Sequence, residues 1–273
     1  MNNLVVRLIT GGIFVSLILS SIFIDVNFVF GVFSLFAVLG IIEFYKLFQP
    51  NEFIEINWRT SSFFAVFIFG LISCSLMGYL NLIGVLISIP AIFGFILSEL
   101  WRKKKHPILN TAVNILGLVY VVLPFLIIVF IGTSKNADFP LLAGMFILIW
   151  VNDSFAYVVG RILGKHKLIE RISPNKTWEG TIGGIAFTIL AGVLISYFNP
   201  NESILFWVGS AVLLAPSAIL GDLVESMFKR NLNIKDSGTI LPGHGGILDR
   251  FDATIFGAPI FLFWIYFYTW FLS

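Results

Sequence analysis

Long apolar runs recur along the whole chain and are broken by short polar clusters. They lie near residues 4–24, 27–48, 61–80, 82–99, 110–132, 140–163, 180–198, 204–228 and 252–272. A hydrocarbon core about 30 Å thick is crossed by roughly 20 helical residues, so each run is long enough to span it. The pattern predicts an all-α, polytopic integral membrane protein with about nine transmembrane helices and its two termini on opposite sides. The first run stops at Asp25 without a small-residue cleavage pattern, so it reads as a retained span and not as a secretory signal.

Composition strengthens this reading. Of 273 residues, 58% are hydrophobic and 12% are charged, whereas about a quarter are charged in an ordinary soluble chain. The formal net charge of +2 is too small to argue for a nucleic-acid partner. A lone cysteine, Cys74, sits in an apolar run, which excludes a disulfide framework or a thiolate metal site.

The placement of charge matters more than its sum. Once the nine runs are taken as spans, 16 of the 17 Lys and Arg residues fall on one side, and only Lys135 falls on the other. Basic residues concentrate on cytoplasmic loops. The expectation is therefore a multi-pass protein of the inner (plasma) membrane with a cytoplasmic N-terminus and an outer C-terminus. The polar loops 164–179 and 229–251 are then both cytoplasmic, as is any active site they build.

There is no evident internal repeat, low-complexity segment or extramembrane domain. Polar residues able to do chemistry gather in the later part of the chain, so 1–139 reads as a scaffold of five spans and 140–273 as the catalytic region.

Four constellations stand out. Asp153, in Trp150-Val-Asn-Asp-Ser-Phe-Ala-Tyr157, lies well inside a span, where a carboxylate costs about 2.5–3.5 kcal/mol and so faces a partner or a polar cavity. It either pairs with Arg161 two turns on or lines an active site. The loop Gly164–Gly180 combines clustered cations, a Ser173-Pro174 turn, Lys176, and Thr177 as a helix cap, features suited to an anion, though also to a basic loop anchored at Trp178. Gly180 and Gly184 are spaced for close helix packing.

Further on, Asp222, Glu225, Ser226 and Lys229 fall on one helical face, a polar stripe at the end of an apolar run that Arg230 closes. Finally, Gly243-His244-Gly245-Gly246 can bring backbone amides close to an anion, and Asp249 and Asp252 follow on one face of the next helix. With Asp222 these carboxylates are hard oxygen donors of the kind Mg²⁺ prefers. The residues alone describe a membrane site for a polyphosphate and a divalent metal. No Walker-type loop is present.

The segment from Ser226-Met-Phe-Lys-Arg230 through Lys235-Asp-Ser-Gly-Thr-Ile-Leu-Pro-Gly-His-Gly-Gly-Ile-Leu-Asp-Arg-Phe-Asp252 resembles the signature of the phosphatidate cytidylyltransferases. Asn152–Tyr157 and Ser173–Gly180 resemble the family too. The resemblance implies a nucleotidyltransferase of phospholipid biosynthesis, converting CTP and phosphatidic acid to CDP-diacylglycerol and pyrophosphate, embedded in membrane lipid as a homodimer. It implies Mg²⁺ as cofactor, with K⁺ as a second candidate cation. Asp222 and Asp249 would hold the metal with Asp252 beside them, and Lys229, Arg230, Lys235, Asp236, His244 and Arg250 would serve catalysis. Asp153, Ser173, Lys176, Thr177, Ser226, Gly245 and Gly246 would bind substrate. Asn175 stands where many relatives carry Lys, Arg or Gly, so the resemblance gives it no phosphate-binding charge.

The nearest alternative is a CTP-dependent polyprenol or phytol kinase, which would transfer the γ-phosphate. A cation or phosphate transporter is a rival of another class. Polar residues crowded at one membrane face, without repeat symmetry, speak against it.

Overall fold

The computed structural model describes residues 3–49, 53–133, 141–199, 201–240, 243 and 245–272, with side chains from residue 9 onward. Lys135 and His244 lie outside the described residues.

The helices are α1 (Asn3–Ile24), α2 (Val26–Leu47), α3 (Trp58–Leu76), α4 (Asn81–Leu97), α5 (Pro107–Gly117) and α6 (Leu123–Thr133), then α7 (Leu141–Leu163), α8 (Trp178–Phe198), α9 (Ile204–Asn231) and α10 (Leu248–Phe271). A 3₁₀ turn, Ser98–Trp101, extends α4, and a π-helical stretch, Leu118–Val122, joins α5 to α6. Eight helical stretches are long and apolar enough to cross a membrane, Pro107–Thr133 counting as one. With α1, a further helix of 22 residues, the described residues form the nearly all-α polytopic architecture that the apolar runs predict, with ends displaced by about one helical turn at most. This is a multi-pass membrane protein.

Helix starts follow local chemistry. Asp25 interrupts the apolar pattern for a single residue and caps α2 by accepting from Asn27 N, while Asn57 caps α3 and Ser203 caps α9 in the same manner. Pro90, Pro216 and Pro259 stand inside helices, which membrane packing tolerates.

The chain forms two compact units. The first holds Met1–Thr133 with Ile234–Arg250, and the second holds Ser134–Asn233 with Phe251–Ser273. In the first, α2 packs against α1, α3 and α6, and α3 against α4. Its centre is aromatic: Tyr45 lies edge-on to Phe44 and Phe95, all three buried. The Tyr45 hydroxyl donates to Asn114 O at 2.8 Å, and Ser61 Oγ donates to Asn114 Oδ1 at 2.8 Å, so these two buried hydroxyls are paired within the apolar core. At the end of α4, Arg102 bonds Glu99 and the Glu55 carbonyl, and Asn110 links Glu55 N to Glu99 Oε2. The Lys105 amide, aided by the Lys104 ammonium, holds the Glu55 carboxyl below the usual carboxylate range.

In the second unit α8 packs against α7 and α9, and α7 against α9. Phe206, Trp207 and Phe261 are buried, and Trp264 Nε1 donates to Phe206 O at 2.9 Å. Loop 164–179 is not wholly irregular. Strands β1 (Lys167–Ile169) and β2 (Ser173–Thr177) pair antiparallel, with Lys167 opposite Thr177 and Ile169 opposite Ser173. The all-α expectation omits this hairpin because strands of three and five residues, one with a proline, are too short to carry a strand periodicity. Lys167 Nζ ties it by donating to Pro174 O at 2.6 Å.

Candidate active site

The second unit gathers acids and bases from α7, β2, α9 and α10. Helix α8 and the hairpin are seated on α7 by small residues. A Cβ on Gly180 would lie 2.6 Å from Ala156 O and 2.9 Å from Gly160 Cα, and one on Gly184 would lie 2.9 Å from Ala156 Cβ. Only glycine allows this approach. Thr177 caps α8 as its sequence position predicts, accepting from Gly180 N at 3.2 Å.

That seat aims Lys176, the preceding residue of β2, at α9. Its Nζ lies 2.6 Å from Asp222 Oδ2 and 3.4 Å from Ile219 O. One turn along α9, Ser226 Oγ donates to Asp222 Oδ1 at 3.1 Å, and Lys229 Nζ contacts Glu225 Oε2 at 2.5 Å. The polar stripe of α9 is thus internally bonded. Asp252 is in electrostatic contact with Asp222, Asp153 and Lys229, and its Oδ1 accepts from Ala253 N. Gly221 permits α10 to approach, since a Cβ there would fall on the Asp252 carbonyl.

Asp153 accepts from Asn152 Nδ2 at 3.3 Å and has Lys176 and Asp222 as charged neighbours, while Arg161 donates to the Tyr157 hydroxyl. Arg230 Nε donates to Ile172 O, and Ser173 is half-buried in β2.

Four carboxylates, Asp153, Asp222, Glu225 and Asp252, thus face two ammonium groups, Lys176 and Lys229. Among the described residues, no three His, Cys, Asp or Glu side chains converge closely enough to hold a metal. Mg²⁺ commonly takes one or two carboxylates and fills its remaining positions with water and phosphate oxygens. The hard oxygens of Asp222 and Asp252, and the excess of carboxyl over ammonium groups around them, fit such an ion, and Lys176 stands beside Asp222 where a cation is called for.

In the first unit, Lys235, Asp236 and Arg250 are exposed, and Gly245 has φ +81°, a conformation that favours glycine. Asp249 Oδ2 accepts from Gly246 N at 2.7 Å and from Ser237 N at 2.9 Å, and it lies 2.9 Å from Ser237 Oγ. A second carboxylate joins them, which the sequence reading passed over. Glu43 of α2 accepts from Ile247 N at 2.8 Å, from Leu248 N at 3.3 Å and from Ser237 Oγ. The available signal was a single carboxylate inside the apolar run 27–48, a placement that by default marks function.

The cytidylyltransferase family matches residues 5–268. Over 159 residues the chain is 39% identical to phosphatidate cytidylyltransferase of Staphylococcus aureus (strain COL), covering 58% of this chain and 60% of that protein. The protein of the same name from Staphylococcus haemolyticus (strain JCSC1435) is 41% identical over 161 residues, with the same coverage. The aligned stretch therefore spans less than two thirds of the length of these relatives. The match over almost the whole chain is decisive: this chain belongs to the cytidylyltransferase family.

Proposed function

We propose that this chain is a phosphatidate cytidylyltransferase of the inner membrane, which makes CDP-diacylglycerol and pyrophosphate from CTP and phosphatidic acid at the cytoplasmic face. The observation that carries the reading is the cluster of Lys176, Asp222, Lys229 and Asp252, a charged group built on strand β2 and two membrane helices that can bind a polyphosphate and a divalent cation. Family membership and the printed names of the similar proteins support it.

In the proposed reaction a phosphate oxygen of phosphatidic acid attacks the α-phosphorus of CTP. A new P–O bond forms there while the bond to the bridging oxygen of the β-phosphate breaks, and pyrophosphate leaves with that oxygen. The nucleophile is already an anion, so little general-base help is needed. What the protein must supply is alignment and relief of repulsion between two anionic substrates. Lys176 and Lys229 supply positive charge, with Arg230 beside them. Ser226 and Ser173 offer hydroxyls, and Thr177 with Asp153 keeps the lysine-bearing strand in place. The family resemblance adds Lys235, Asp236, His244 and Arg250, with the Gly245 and Gly246 amides, as phosphate contacts. Asp222 and Asp252 would hold Mg²⁺, and the resemblance adds Asp249; bound there, the ion neutralises phosphate charge. K⁺ as a second cation, and the homodimer, are proposed on the resemblance alone.

The test is an assay of the purified protein with CTP labelled in its cytidine and phosphatidic acid, with and without Mg²⁺. Label on the lipid supports cytidylyl transfer. In a parallel assay with a polyprenol or phytol in place of phosphatidic acid, a phosphorylated alcohol without cytidine points to the kinase reading, and no product from any of these lipids removes both.

A further inference from the structure

Glu43 is 4% exposed and stands in α2, far in sequence from every residue assigned to catalysis. Its partners all come from the segment that carries the signature: the hydroxyl of Ser237 and the amides of Ile247 and Leu248. Leu248 is the first residue of α10, so Glu43 satisfies amides at the start of a helix 205 residues further along the chain. The N–H groups at a helix start have no partner within the helix, and they and the helix dipole favour an acceptor there.

The walls around this carboxylate are built for it. A Cβ on Gly246 would collide with Glu43 Oε1 and with Ser237 Oγ, and one on Gly238 would lie 2.9 Å from Glu43 Cδ. Ser237 links the two acids, because its hydroxyl also lies 2.9 Å from Asp249 Oδ2. Asp249 in turn accepts from Gly246 N. A buried acid from α2 and a half-buried one from α10 thus clamp the same short turn.

We propose that Glu43 is a positioning residue for the cytidylyl transfer: through Ser237 and the Ile247 and Leu248 amides it fixes the turn that presents Asp249 and Arg250. This rests on the proposed function. Glutamine at this position keeps the shape but turns one carboxylate oxygen into a donor facing other donors. Buried amides then lose an acceptor, and the turn loosens while α2 keeps its packing.

The test compares the full chain in lipid nanodiscs with its Glu43→Gln and Glu43→Asp variants by steady-state kinetics and by amide hydrogen exchange. The expected result for Glu43→Gln is a kcat lowered by about 10–100-fold, the range typical of residues that orient ligating groups, with KM for CTP nearly unchanged. Exchange should quicken at 246–248 and not across α2, and Glu43→Asp should recover part of both. Unchanged kcat together with unchanged exchange at 246–248 overturns the proposal, as does equal loss of protection in α2 and the turn. Should Glu43→Gln fail to fold, Ser237→Ala decides. Lower kcat with intact KM supports the clamp, and wild-type kcat overturns it. If the wild-type protein makes no CDP-lipid, the proposed function fails, while the exchange experiment still tests the clamp.

Discussion

Lys176 Nζ lies 2.6 Å from Asp222 Oδ2, joining the strand before α8 to the polar stripe of α9. The pair is partly exposed on both sides, so its Coulomb attraction alone contributes little to stability. Its chemical meaning is that one carboxylate is already matched to a cation at the place proposed for phosphate chemistry. We expect Asp222→Asn to abolish Mg²⁺-dependent turnover in a protein that stays folded in detergent. Asp252→Asn should do the same. If Asp222 and Asp252 hold one ion, as proposed, the double variant should lose little more than either single one. Additive losses in kcat/KM would show that the two acids do separate work.

Lys229 contacts Glu225, a buried carboxylate one turn away on α9. Lys229→Ala should therefore lower stability as well as activity, by about 3 kcal/mol if the pair behaves like other buried pairs broken on one side. Adding Glu225→Gln should restore most of the thermal stability and none of the turnover. Recovery of both would mean that Lys229 serves packing and does not meet phosphate. Arg250→Ala, at an exposed position, should lower turnover without a comparable fall in melting temperature.

The close seat of α8 on α7 gives a different readout. Gly184→Val should cost about 1–3 kcal/mol by overpacking, and it should shift the hairpin bearing Lys176 along with α8. Thermal unfolding in detergent and turnover should fall together. Retained stability would show that the helices can part without strain.

Much of this was legible in the sequence for simple reasons. A span announces itself by 20 apolar residues, and the caps Asp25 and Thr177 act on amides two or three residues away. The polar face of α9 follows from helical spacing alone. What escaped depends on partners remote in sequence. Glu43 looks like one stray acid in an apolar run until Ser237 and Leu248 are brought beside it. The hairpin β1–β2 escaped because its strands are too short to show a period, although Trp178 N closes it by donating to His166 O at 2.9 Å.

Sidedness can be checked without any assay of chemistry. In a variant with Cys74 replaced, single cysteines placed at 102–106 and at 166–172 should react with an impermeant reagent from the cytoplasmic side only. A cysteine at position 135 should react from the other side only. Opposite accessibility of the first two regions would break the assignment of 16 basic residues to one side.

The Glu43 clamp also has a consequence for biosynthesis. Its acceptor is made about 200 residues before its donors, a separation of 194 to 205 positions. At about 5–20 residues per second, α2 would wait some 10–40 s before Ser237 and Leu248 leave the ribosome. Through that interval an acid destined for a dry site has none of its final partners, and the first unit is completed only once the segment 234–250 has been synthesised. A ribosome stalled anywhere in α7 to α9 leaves a nascent chain with its apolar helices present and this carboxylate still lacking the groups meant to receive it. Such a chain would be a natural target for membrane quality control.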